Sequence, residues 1–237
     1  MESLYHRQML QRVLSPLVSP RALEAITRAN LGQDSALGLL RPEFHSDNSL
    51  FAETSAYIEQ NRQQAAHATN PAQAWAAFGR LSHAAQDFYA HSNYTALWLE
   101  QRGWVKNGEA LYRGIVPEPP PTNHLPPHST IEPLDPDVLN NPRLRSGHVY
   151  YPTEALWAIH TLQPLVKKLV PKDSHAWMNL DVPSTGPLFP YAIEAAVKRT
   201  RIEYERTLAL IGETLGEEAM RAFWDQSTVN SAQSAVD

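Results

Sequence analysis

Gly79-Arg80-Leu81-Ser82-His83-Ala84-Ala85-Gln86-Asp87-Phe88-Tyr89-Ala90-His91-Ser92-Asn93 decides how this chain is read. His83, Asp87 and His91 recur in it at four-residue intervals. With about 3.6 residues per turn, an α-helix brings all three side chains onto one face. The residues between them are largely small or apolar: Leu81, Ala84, Ala85, Phe88 and Ala90. The polar stripe therefore borders a core-forming face, where it has to be hydrogen-bonded, paired or metal-bound. Two imidazoles and a carboxylate on one rigid face are most of a transition-metal site. A single His-x-x-x-Asp arises often by chance. Three potential ligands in register, ending in His-Ser-Asn, favour the metal.

Working outward, Asn70-Pro71 reads as the cap and first turn of the helix that carries this stripe, continuing past Trp98. Ser19-Pro20 opens an earlier helix in the same way, fading at Gly32. Residues 2–14 read as an amphipathic helix, with Leu4, Met9, Leu10, Val13 and Leu14 apolar. A further helix, capped by Asn48 or Ser49, is expected through Phe51, Tyr57 and Ile58 to about residue 68. Helices around 153–169 and 187–213 complete the chain. The best strand candidate is Val149-Tyr150-Tyr151, cut by Pro152. The fold class expected is all-α, a single domain over 1–237 with the helix around 71–101 at its centre. Nine prolines between Pro117 and Pro142 exclude a regular helix there and predict a surface loop over 116–142. Residues 226–237 are polar and are expected to fray.

The chain is long enough to bury a core without staples. Hydrophobic residues make up 43% and charged residues 19%, a globular balance. The net charge of −5, with no basic block, argues against a dedicated nucleic-acid surface. A phosphodiester substrate stays compatible with it, because bound metal supplies local positive charge. There is no cysteine, so disulfides and thiolate metal sites are excluded and any transition metal must use His, Asp and Glu. No signal peptide and no membrane-spanning apolar run is visible, which points to a cytoplasmic protein. Oligomeric state is not legible.

Other candidate ligands fall at informative places. His6 lies one turn into the first helix, Asp34 just past the second, and His45 and Asp47 in the following loop. Taken singly each has a plainer reading: a turn residue for Asp34, a helix cap for Asp47, surface histidines for His6 and His45. His6, Asp34, His45, His83, Asp87 and His91 together suffice for two metals if a carboxylate bridges.

Three segments resemble the zinc-dependent phospholipase C and single-strand nuclease superfamily, in its Het-C-like branch. They are Tyr5-His6-Arg7 through Ala29-Asn30-Leu31-Gly32-Gln33-Asp34; Glu43-Phe44-His45-Ser46-Asp47-Asn48 with Phe51-Ala52-Glu53 and Ala56-Tyr57-Ile58; and Gly79 through Asn93. Lys172-Asp173-Ser174 and Ala192 to Thr200 match more weakly. The resemblance implies an all-helical fold of the zinc-dependent phospholipase C type with a zinc cluster of up to three ions. It implies that Asp34, His45, His83 and Asp87 hold one zinc, that Asp87 bridges to a second held also by His6, and that His91 holds a third. It further implies metal-assisted hydrolysis of a phosphodiester, with Asp34 orienting or deprotonating the attacking water.

The chain departs from that pattern. No His lies between Phe189 and Thr200, where a later His-x-x-x-Glu/Asp pair belongs. The other match is His128-x-x-x-Glu132 in the proline-rich stretch, and His148 and His175 are alternative partners for His91. Met1 precedes His6 by five residues, with Glu2 hindering its removal, which weakens the backbone ligand that secreted members use. The expectations are thus a zinc-dependent phosphodiester hydrolase acting on phospholipid head groups, or a non-catalytic metal-stabilised binding or signalling protein with an incomplete cluster. A nuclease acting on single strands is the weakest of the three. Trp75, Trp98, Trp104, Trp157 and Trp177 are expected in the core, and His67, His124 and His160 have no special role.

Overall fold

The computed structural model of the chain describes residues 1–35, 37–112 and 121–225. Residues 116–120 of the expected proline-rich loop, and the tail 226–237 expected to fray, lie outside the described residues. The architecture is all-α. Among the described residues extended pairing is confined to two isolated bridges, Ser92 with Ser146 and His148 with Ser174.

Helix α1 (Ser3–Leu14) buries His6, Met9, Leu10, Val13 and Leu14, the i, i+3, i+4 face of an amphipathic helix. Helix α2 (Pro20–Leu31) starts where expected: Ser19 accepts a hydrogen bond from the Ala22 amide and Pro20 occupies the first turn. Helix α3 (Phe51–Ala66) begins at Leu50 without a side-chain cap. Asn48 and Ser49, read as caps, are instead in left-handed backbone conformations at φ 57° and 56°.

Helix α4 (Pro71–His91) is capped by Asn70, which accepts from the Gln73 amide. It is buried along almost its whole length and packs against α2, α3 and α9 (Phe189–Leu215). Gly79 lets α2 approach closely, since a Cβ there would lie 2.4 Å from Ile26 O and 2.7 Å from Ala29 Cβ. That contact brings the end of α2, and Asp34 beyond it, alongside the His83 stripe.

The expected helix around 71–101 is two helices. It breaks after His91 and resumes as α5 (Tyr94–Gln101). Ser92 turns its hydroxyl onto Phe88 O, and the Asn93 side chain accepts from the Arg145 amide and donates to Arg143 O. Side chains that bond to backbone in this way compete with the helical ladder. The break lets the segment 143–147 run beside His91.

Described residues 121–142 are not a bare surface excursion. Ile131 and Val138 are fully buried, Tyr94 Oη donates to Glu132 O at 2.6 Å, and Lys198 Nζ donates to Ser129 O and Ile131 O. A turn at His128–Thr130 and helix α6 (Pro136–Leu139) interrupt the loop. The helix expected around 153–169 is 3₁₀ up to Leu162 and becomes α7 only over Gln163–Leu169. Helices α8 (His175–Met178), α9 and α10 (Glu217–Trp224) follow. Val149-Tyr150-Tyr151 forms no strand. No described helix is long and apolar enough to cross a membrane.

Candidate metal centre

Helix α4 presents His83 and Asp87 at zero exposure and His91 at 3%, the stripe read from its spacing. Four donors converge around the first two: Asp34 from the turn after α2, His45 from the loop before α3, His83 and Asp87. Asp87 Oδ2 lies 3.0 Å from His45 Nδ1 and 3.1 Å from His83 Nε2. His83 Nε2 lies 3.2 Å from His45 Nδ1 and 3.5 Å from Asp34 Oδ1, and His45 Nδ1 lies 3.9 Å from Asp34 Oδ1. A tetrahedron of donors at zinc bond lengths has edges of roughly 3.3 Å. The four atoms are therefore spaced as ligands of one ion.

The other oxygen of Asp87 faces His6. His6 Nε2 lies 3.2 Å from Asp87 Oδ1, yet has no hydrogen-bond partner. Its protonation follows from its neighbours. Thr200 Oγ donates to Ala196 O, so it accepts from Gln86 Nε2; Gln86 Oε1 is then an acceptor, taking Asn30 Nδ2 and His6 Nδ1 at 2.7 Å. His6 Nδ1 therefore carries a proton, and Nε2 is the ring nitrogen turned toward Asp87. An imidazole nitrogen and a carboxylate oxygen facing each other in the interior are donors that a metal ion could share. The Thr200–Gln86–His6 chain fixes the orientation of the His6 ring, as the outer supports of metal-ligating histidines do.

A second group assembles at the end of α4 from Asp47, His91 and His175. Asp47 Oδ1 lies 2.9 Å from His175 Nδ1 and 3.5 Å from His91 Nδ1. His91 Nδ1 donates to His45 O at 2.9 Å, leaving Nε2 to face Asp181 Oδ1 at 3.2 Å. Asp181 completes a ring of carboxylates that includes Asp87 and Asp34. The Met1 amino group sits inside that ring, 2.8 Å from Asp87 Oδ1 and 3.2 Å from both Asp181 Oδ1 and His91 Nε2.

The electrostatics show how strongly this pocket selects positive charge. Burial opposes an ammonium at Met1, but Asp181, Asp87 and Asp34 outweigh it and raise its pKa to about 11. His175 is pushed up to about 9 because Asp47 overcomes its burial, and His45 is raised against its burial by Asp87. Asp87 and Asp181 are held below the usual carboxylate range despite burial by the amino group and the histidines around them, and Asp47 by His175, His91 and His45. His83 goes the other way: burial, aided by His6, lowers it to about 4. It is a neutral imidazole, the form that binds metal.

Gly147 ties the ligand-bearing segments together. Its amide donates to His91 O, its carbonyl accepts from the Asn48 amide, and a Cβ on it would lie 2.5 Å from the Cα of His175. Ser49 and Ser146 exchange amide-to-hydroxyl hydrogen bonds beside it. These contacts hold Asn48 and Ser49 in left-handed conformations, which Ser46 shares and which cost energy outside glycine. That strained turn aims His45 into the first group and Asp47 into the second.

Two adjoining cavities open onto the centre. The larger, of about 780 Å³, is lined by Asp34 and Asp181 together with Trp157, Lys167 and Trp177. The smaller, of about 390 Å³, meets His45, Asp47, His91 and His175 beneath Leu40, Val149 and Tyr151.

The structure thus brings all six sequence-derived ligands, His6, Asp34, His45, His83, Asp87 and His91, to one place. Asp47 points at His175 and His91 and does not cap α3. Of the partners considered for His91, His175 is the one it meets; His148 and His128 are exposed, and Glu132 pairs with Arg102. Asp181 gave no sequence signal, being a lone carboxylate on irregular chain after α8. Trp75 and Trp98 are core residues, whereas Trp104 is 41% exposed and Trp157 and Trp177 wall the cavity.

A family model for the VWA7 N-terminal domain matches residues 4–109, the span that carries all six sequence-derived ligands. No curated protein and no solved structure matches the chain. The match overturns the assignment to the zinc-dependent phospholipase C and single-strand nuclease superfamily and to its Het-C-like branch. The shared His-x-x-x-Asp-Phe-x-x-His-Ser-Asn pattern reports a way of spacing ligands on a buried helix, which does not by itself define a family. A phospholipase C-like label, phospholipid head groups as substrate and the single-strand nuclease alternative lose their basis with it.

Proposed function

We propose that the chain holds two zinc ions, one in each His/Asp group, and that the pair activates water for the hydrolysis of a phosphodiester. Support for the metal comes from the donor chemistry. With nitrogen and oxygen donors, no thiolate and tetrahedral spacing, zinc suits the first group best. Asp34, Asp47, Asp87 and Asp181 bring four negative charges, offset in part by the Met1 amino group. The observation that carries the proposal is Asp87: Oδ2 faces His45 and His83 in the first group, while Oδ1 faces His6 and lies 2.8 Å from the Met1 amino group, itself 3.2 Å from His91 Nε2 of the second group. That is the disposition of a bridging carboxylate.

Zinc bound there would bring the pKa of water toward neutrality and polarise a phosphoryl oxygen. The residues divide the remaining work. Asp34 is the most exposed of the first group at 27% and lines the cavity, so it can accept the proton of the attacking water. Gln86 holds His6 in its tautomer, and the His45 carbonyl does the same for His91. The test is turnover of bis-nitrophenyl phosphate by zinc-loaded protein. Activity should be lost in Asp34→Ala and His83→Ala and kept in His67→Ala, a surface change.

A second reading is favoured by burial. His6, His83 and Asp87 have no exposed surface, as in a centre whose metals stabilise a binding domain. Wild-type protein with two zinc ions and no turnover of any model diester would establish that reading and end the hydrolytic one.

A further inference from the structure

The larger cavity is lined by the carboxylates Asp34 and Asp181 and by Lys167, the one Lys or Arg among its described lining residues. Lys167 is half-buried, with its ammonium 5.7 Å from the ring centre of Trp157 and 5.2 Å from that of Trp177. A lysine at a cavity edge ordinarily swings its charge into water. Here two indoles hold it by cation–π attraction, and Trp177 Nε1 fastens the helix beneath by donating to Lys167 O at 3.0 Å. Trp157 also stands edge-on to His175, ring centres 6.4 Å apart. One indole therefore separates the ammonium from the second ligand group.

We propose that Lys167, held by Trp157 and Trp177, is an oxyanion-binding subsite. It takes a carboxylate or phosphate that the substrate carries away from the phosphoryl group engaged at the centre. Indole rings beside the ammonium lower the local polarity, which strengthens a charge-assisted hydrogen bond to it. The ring contacts restrict the side chain before a ligand arrives, which lowers the ordering cost of binding. The identification of a phosphoryl group at the centre rests on the function proposed above; the subsite at Lys167 rests on the cavity's own geometry.

Calorimetric titration of zinc-supplemented protein tests it. The probes are phosphonoacetate, 3-phosphonopropionate and 4-phosphonobutyrate, each compared with the alkyl phosphonate of equal length. At least one carboxylated probe should bind about tenfold more tightly than the alkyl phosphonate of equal length, the gain of one charge-assisted contact. Lys167→Met should abolish that gain and leave alkyl phosphonate binding unchanged, while Lys167→Arg keeps most of it. Lys172→Met is the control for net charge, since Lys172 also lies 5.7 Å from the Trp177 ring but does not line the cavity. Replacing the carboxylate by a second phosphonate distinguishes the two oxyanions.

If alkyl phosphonates fail to bind while carboxylated probes bind through Lys167, the phosphoryl assignment fails and the subsite stands. If no carboxylated probe gains over its counterpart, or the gain persists in Lys167→Met, the subsite is overturned.

Discussion

Two buried clusters of charge flank helix α4, and they are built on opposite principles. Between α3 and α9, Glu203 has no exposed surface and is met by Arg62, Arg199 and Arg206. Of the buried nitrogens there, Arg62 Nε alone lacks a partner. On the other side, Asp34, Asp47, Asp87 and Asp181 crowd together with histidines and the Met1 amino group, and His6 Nε2, 3.2 Å from Asp87 Oδ1, has no hydrogen-bond partner. The Glu203 cluster sets one carboxylate among guanidinium groups and contains no imidazole. The Asp87 cluster sets four carboxylates among imidazoles around one amino group. Buried charge is thus no sign of a metal site in itself; convergent carboxylate and imidazole donors are.

The largest effect that separates the clusters is expected from Asp87→Ala. It removes a donor from the first group and the contact to His6, so metal analysis should show more than one zinc equivalent lost. The variant should also lose the increase in melting temperature that zinc gives the wild type. Full zinc content in Asp87→Ala would break the distinction.

Glu203→Gln should do the reverse. Leaving its arginines partly unpaired should cost about 3 kcal/mol, read by chemical denaturation, with zinc content unchanged. The same residue sets a pH dependence. Arg199 and Arg62 outweigh burial and hold the Glu203 pKa below its ordinary value of 4.5. Its stabilisation is then complete above that ordinary value and is lost as pH falls through the lower folded-state value. The acid side of the stability profile should flatten in Glu203→Gln.

Gly147→Ala sharpens the comparison within the metal centre. The new methyl must displace the His175 backbone, which belongs to the second group and not to the first. We expect about 1–3 kcal/mol of destabilisation and loss of one zinc, with the other retained. The smallest effect is expected from Ser46→Gly. Ser46 sits at φ 57°, and relieving it should stabilise the chain by up to about 1 kcal/mol without altering zinc content.

What the sequence disclosed follows the same division. Capped, periodic helices were legible: Ser19-Pro20 and Asn70-Pro71 start α2 and α4 where they were placed. So was the His83-Asp87-His91 stripe, because a helix turns spacing into geometry. His45 and Asp34 were found through the order of ligands along the chain. Asp47 surfaced with a plainer reading as a helix cap, His175 only as one of several partners for His91, and Asp181 did not surface, because irregular segments convert no spacing into position. The break at Ser92-Asn93 was hidden as well. It depends on side-chain bonds to Arg143 and Arg145, fifty residues away in sequence, and those same bonds deliver Gly147 to the site. The resemblance found in the ligand pattern did not survive the family comparison, since a four-residue repeat on a buried helix is reachable from more than one ancestry.

The central claim is that the Asp87 cluster holds metal and the Glu203 cluster does not. Elemental analysis of protein purified without added metal, followed by zinc titration after chelation, tests it most directly. Two zinc ions per chain are expected, both lost to chelator together with a fall in melting temperature and both recovered on titration. Protein that carries no transition metal, takes up none on titration and melts at the same temperature with and without chelator would contradict it.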